Sequence, residues 1–104
     1  IPTNYVYNSY FKKAVVKVDE HDQNLPIVIY PNPVTNELII ENSSENGLHQ
    51  NPHYQIVDIN SKLINQGIVQ EGKNKIDMSR NSNGIYFVKL FLNNKLSVYK
   101  ILKL

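Results

Sequence analysis

The sequence predicts an all-β domain built as an antiparallel β-sandwich of about seven strands. Two observations carry that expectation. Short apolar runs alternate with period two, and helical spacing is sustained nowhere. The runs recur about every 8–12 residues, separated by Gly, Asn, Ser and Pro turn signals, the rhythm of an immunoglobulin-like sandwich.

Ile27–Tyr30 is apolar and stops at Pro31. Glu37–Asn42 alternates, with Leu38 and Ile40 on one face. Asn46-Gly47 marks a turn in the polar loop that follows. Tyr54–Ile59 alternates again, and Asn60-Ser61 fits a two-residue hairpin turn into Lys62–Val69. Gly67 interrupts that return strand and suggests a bulge there. Glu71-Gly72 turns into Lys73–Met78, and Ser79–Gly84 reads as a loop. Ile85–Leu92 is the strongest strand, and Asn93-Asn94 turns it into Leu96–Leu102.

The first 24 residues read differently. Tyr5, Tyr7, Tyr10 and Phe11 crowd one stretch, and Ala14–Val18 suits a further strand. His21–Asn24 is polar, and Pro26 marks the start of the domain. The reading is an upstream segment and linker over 1–24 and a domain over 25–104. Tyr30-Pro31-Asn32-Pro33 forms a rigid corner. Its two prolines fix φ and remove two donors, so the corner suits a sandwich edge where the chain passes between sheets.

A chain of 104 residues buries only about 60–65% of its unfolded surface. It has no cysteine, so the core rests on packing and no thiolate is available. Net charge is +2, but eight of the eleven basic residues follow residue 60, against two of the nine acids, Glu71 and Asp77. Lysines on solvated faces and sheet edges explain that bias. Nucleic-acid binding would need interleaved aromatics and more than the single Arg80. No apolar run is long enough for a membrane-spanning helix, and no secretory leader opens the chain.

Catalytic chemistry finds little footing. His49 and His53 are four apart, but Pro52 between them argues against a helical metal site, and His21 is remote. Asp58 and Asp77 suit turn caps through side-chain bonds to backbone N–H groups. Ser43, Ser44, Ser79 and Ser82 have no nucleophile elbow around them. The four glycines form no phosphate-cradling loop. Asn42-Ser43-Ser44 fits the glycosylation triplet, a pattern that chance supplies in an Asn-rich chain. Tyr54, Tyr86 and Tyr99 fall in strands as core or sheet-face residues; an exposed tyrosine platform would instead bind sugar. No metal, cofactor or catalytic residue is assigned.

Four blocks in order carry more information than any one alone: IYPNPV at 29–34, YQIVDINSKLI at 54–64, NKIDMSRNSNGIYFVKL at 74–90 and KLSVYKILKL at 95–104. Together they closely resemble the C-terminal sorting domain of the type IX secretion system of Bacteroidetes. The resemblance covers about residues 27–104. Pro31, Asn32 and Pro33 match the opening corner; Tyr54, Asp58 and Leu63 the central hairpin. Ile76, Asp77 and Ser79 match the strand before the loop, Gly84, Ile85 and Tyr86 the GIY element, and Lys100 the basic position near the end. Asn60-Ser61 departs from the usual Asn-Gly, and Asn81 stands where a leucine is usual.

The resemblance implies a non-catalytic export signal. A cargo protein linked upstream would cross from the periplasm to the cell surface or the medium. Translocon proteins would read the domain, and a cysteine-protease-like sortase would cut in the linker, at Glu20, His21, Asp22, Gln23, Asn24 or Leu25. Motif and recognition residues would be Pro31, Asn32, Pro33, Asp58, Gly84, Ile85, Tyr86, Lys95, Lys100 and Lys103. Gly84 is expected at a backbone angle hostile to a Cβ. Lys89, Lys95, Lys100 and Lys103 would decorate a final hairpin at the sheet edge, open to strand addition by a receptor or to a weak dimer. The alternative function is an adhesive or carbohydrate-binding sandwich, with an exposed aromatic cluster on one sheet.

Overall fold

The computed structural model describes residues 7–8, 13–14, 17–19, 26–44, 51–92 and 94–104. Three short strands come first: β1 (Tyr7–Asn8), β2 (Lys13–Ala14) and β3 (Lys17–Asp19). Seven longer ones follow, as the alternation predicts: β4 (Ile27–Tyr30), β5 (Glu37–Asn42), β6 (His53–Asp58), β7 (Leu63–Ile68), β8 (Gly72–Asp77), β9 (Gly84–Leu92) and β10 (Lys95–Lys103).

The seven form two antiparallel sheets packed face to face. One has the order β4-β5-β8; the other runs β10-β9-β6-β7 and gains β3 beside β10 as a parallel edge. The chain changes sheets between β5 and β6, between β7 and β8, and again between β8 and β9. This is the Greek-key connectivity of an immunoglobulin-like sandwich. β1 and β2 pair antiparallel with each other.

Period two explains the layers. Leu38 and Ile40 of β5 and Ile76 of β8 point inward from one sheet. Ile56 of β6, Tyr86, Val88 and Leu90 of β9 and Ile101 of β10 point inward from the other. Val34, Val69 and Met78 plug the ends from the connections. Each fully buried Leu, Ile or Val contributes roughly 1.5–3 kcal/mol against exposure, and without disulfides this packing holds the fold.

Several local expectations are revised. The Pro-Asn-Pro corner does not pass the chain between sheets, because β4 and β5 are neighbours in one sheet, with Tyr30 opposite Ile39. The bulge of the β6–β7 hairpin lies opposite Ile56 and Val57, not at Gly67. Gly67 stands directly across from Tyr54, whose ring lies over it: a Cβ there would come within 2.9 Å of Tyr54 Cε2. The turn after β6 holds three residues, not two. Asp58 N–H donates to the Lys62 carbonyl at 3.0 Å and Ser61 N–H to the Asp58 carbonyl at 3.0 Å, with Ser61 at φ 66°. That is a type I turn followed by a left-handed residue. Ile59 consequently leaves the strand and is exposed. Asn42 is buried, and its Oδ1 accepts from Ser44 N–H, so the glycosylation triplet presents no accessible acceptor.

Candidate recognition site

Nine of the ten residues expected to carry recognition, all but Lys95, gather at one end of the sandwich. Asp58, the last residue of β6, stands opposite Tyr86 near the start of β9. Tyr86 stands opposite Ile101, Ile85 opposite Leu102, and Gly84 opposite Lys103. Lys103 in turn bridges in parallel to Val34, just past the proline corner. Pro31, Asn32, Pro33, Asp58, Gly84, Ile85, Tyr86, Lys100 and Lys103 therefore share one end, although 26 residues separate Asp58 from Gly84 in the chain. Lys95 lies at the opposite end of β10, paired with Leu92.

The corner acts as a clasp. Both of its X–Pro bonds, Tyr30–Pro31 and Asn32–Pro33, are cis. Asn32 Nδ2 donates to the Lys100 carbonyl at 3.0 Å, and Leu102 N–H donates to Asn32 Oδ1 at 3.0 Å. Val34 N–H donates to the Leu102 carbonyl at 2.8 Å, and Leu104 N–H to the Val34 carbonyl at 2.9 Å. A primary amide carries a donor and an acceptor in the geometry of a peptide unit, so Asn32 stands in for a strand where its neighbouring prolines cannot donate. The sequence singles out Asn32 together with its prolines, but not the pairing of its amide with the last strand, whose partners lie 68 and 70 residues away.

The clasp changes the status of the last strand. β3 runs beside Lys95–Ser97, and Asn32 and Val34 bond the outer edge from Lys100 to Leu104. The edge expected to be open to strand addition already has partners along both ends. Nor do the four lysines simply decorate the hairpin. Lys100 is exposed and Lys95 half-buried, whereas Lys89 and Lys103 are buried. Lys103 Nζ donates to the Leu104 carbonyl oxygen at 3.0 Å. Burial holds the Lys89 ammonium below the usual lysine range.

The GIY element sets the start of β9. Gly84 has φ 145°, a region closed to residues with a Cβ. Two residues on, the Tyr86 hydroxyl donates to the Ser82 carbonyl at 2.6 Å. This is a tyrosine corner, which ties a strand to the loop before it in Greek-key sandwiches.

Both aspartates cap turns, as their positions suggest. Asp58 Oδ1 accepts from the N–H groups of Asn60 at 2.8 Å and Lys62 at 2.9 Å. Asp77 Oδ1 accepts from Ser79 N–H at 2.9 Å. They belong to different sheets. Hydrogen bonds from the Ser79 side chain and backbone hold the Asp77 carboxyl below its usual range; slight desolvation opposes this and Arg80 assists it. His53 is exposed; His21, His49 and the linker residues Glu20–Leu25 lie outside the described residues. Among the described residues, no three His, Cys, Asp or Glu side chains converge as a metal site, and Tyr30, Tyr54, Tyr86, Phe87, Phe91 and Tyr99 are all at least half-buried.

Two antiparallel sheets packed face to face with Greek-key connections make this an immunoglobulin-like β-sandwich domain. The family model described as a secretion system C-terminal sorting domain matches residues 28–103. The chain belongs to that family, the C-terminal sorting domains of type IX secretion. Such a domain is a sorting signal and implies export to the cell surface or the extracellular space. No curated protein matches the chain.

Proposed function

We propose that this domain carries a cargo linked upstream across the outer membrane, read as a folded unit by the type IX translocon. A sortase then cuts within Glu20–Leu25, ahead of the sandwich, and releases the cargo or passes it to a surface acceptor. The family match over 28–103 carries this reading. Nine of the ten expected recognition residues, all but Lys95, lie together at one braced end, a shape that a receptor can read. The adhesive alternative finds no exposed aromatic cluster among residues 26–44, 51–92 and 94–104.

The test is export of a fusion. Residues 1–104 are joined to the C terminus of a periplasmic reporter in a bacterium with a working type IX system. The reporter should reach the surface or the medium, and should stay in the periplasm of a translocon-deficient strain. Mass spectrometry of the exported reporter should place its new C terminus between residues 20 and 25. Retention of the intact fusion in the competent strain overturns the export reading. Export with an uncut junction overturns the sortase step alone.

A further inference from the structure

Two Asn-Gly pairs occur in the chain, Asn46-Gly47 and Asn83-Gly84. The second joins the loop after β8 to the start of β9, at the braced end. An asparagine before glycine is prone to cyclise, because glycine has no Cβ to shield its backbone nitrogen. At this site the Gly84 nitrogen would give its proton to solvent base and attack Asn83 Cγ. A C–N bond forms as the Cγ–Nδ2 bond breaks and ammonia leaves. Water then opens the succinimide ring at either carbonyl, giving aspartate or isoaspartate. Nothing is oxidised or reduced, and water is the only co-reactant.

The side chain is ready for this reaction and the backbone is not. Asn83 is exposed, and its amide makes no hydrogen bond among the described residues. Gly84 is held. Lys100, Leu102 and Leu104 turn their backbone groups outward, to Asn32 and Val34. Lys103 therefore turns its own toward Gly84, its partner in β9, and its carbonyl accepts the Gly84 N–H. On the other side of Asn83, the Tyr86 hydroxyl fixes the Ser82 carbonyl at 2.6 Å. Ring closure needs the Gly84 N–H released and the Asn83 backbone turned, so this end of the sheet must open first. Asn32 and Val34, on the far side of β10, set how often it does.

We infer that Asn83 is a site of spontaneous covalent modification gated by the clasp: it converts to aspartate and isoaspartate when the Gly84–Lys103 pair opens, at a rate that Asn32 and Tyr86 hold down. Isoaspartate adds a methylene to the main chain and a carboxylate between Ser82 and Gly84. A converted chain therefore loses the spacing that lets the Tyr86 hydroxyl reach the Ser82 carbonyl. The chemistry does not depend on the export reading. Combined with it, conversion alters the braced end beside Gly84, Ile85 and Tyr86.

The whole 104-residue protein is incubated in mildly alkaline buffer, and peptide mass spectrometry follows the amide-to-acid conversion at each Asn-Gly pair. In urea, Asn83 and Asn46 should convert at similar rates; an Asn83 that stays intact there overturns the inference. In the folded protein Asn83 should lag far behind its own rate in urea, and equal rates overturn the inference too. Asn32→Ala removes both clasp bonds and should speed conversion in the folded protein about 5–30-fold, in step with hydrogen exchange of the Gly84 amide. Tyr86→Phe keeps the buried ring, frees the Ser82 carbonyl and should speed it as well. Amide protection in β5 and β8 reports that each variant stays folded. An unchanged Asn83 rate in either folded variant overturns the role assigned to that residue, and an unchanged rate in both overturns the gate.

Discussion

The side chain of Asn32 occupies the place of a neighbouring strand for Leu102, accepting its N–H at 3.0 Å while donating to the Lys100 carbonyl two residues earlier, also at 3.0 Å. Replacing Asn32 by Ala removes both bonds, and each is worth about 1 kcal/mol net. A loss of about 1–2 kcal/mol in urea unfolding is expected, with faster hydrogen exchange at the Leu102 amide. Asn32→Asp keeps the acceptor but sets a carboxylate against the Lys100 carbonyl, so it should cost at least as much. Full stability and unchanged Leu102 protection in both variants would show that Val34 alone secures the strand.

Ser61 sits at φ 66° in the turn between β6 and β7, where a Cβ costs roughly 1–2 kcal/mol against glycine. The unfolded chain gains freedom with glycine, which offsets part of the gain. Ser61→Gly should therefore stabilise by about 0.5–1 kcal/mol, which would raise Tm by several degrees at this size. Calorimetry decides it: an unchanged or lowered Tm means the left-handed serine is not strained.

Much of this architecture is legible in the sequence. Alternation in Glu37–Asn42 and Ile85–Leu92 marks strands directly, because one face of each must meet a core. Asp58 and Asp77 read as turn caps because a short carboxylate after a strand has backbone N–H groups within reach. Tertiary reach was not legible. Period two reports which face is apolar, not which sheet a strand joins, so the corner at Pro31 and Pro33 looked like a passage between sheets. Its partner Leu102 lies 70 residues away. Lys89 and Lys103 looked solvated because lysine usually is; the register that puts them beside Val98 and Val34 is a property of the assembled sheet.

Gly67 and Gly84 resist substitution for different reasons. At Gly67 an added Cβ would lie 2.9 Å from the Tyr54 ring, and at Gly84 it would meet nothing within 4 Å but the backbone holds φ 145°. Gly67→Ala should cost about 1–3 kcal/mol by overpacking, and Gly84→Ala a similar amount by torsion. A Tyr54→Leu background separates the two. There the Gly67→Ala penalty should shrink by at least about 0.5 kcal/mol, a coupling expected of residues in contact, while the Gly84→Ala penalty stays the same. Equal penalties in both backgrounds would remove the ring as the cause at Gly67.

Acid should loosen the turn after β8 in a defined direction. The folded carboxyl of Asp77 is depressed, chiefly by the Ser79 hydroxyl and N–H. Its contribution is therefore fully present above the unfolded value of about 3.9 and is lost as pH falls through the folded value. Asp77→Asn keeps an oxygen that can accept from Ser79 N–H while removing the charge. Urea midpoints of the two proteins should differ at pH near 6, with the aspartate form more stable. The gap should close as pH falls through the depressed folded value and the carboxylate becomes protonated. A gap constant across that range would assign the difference to shape and hydrogen bonding rather than to charge.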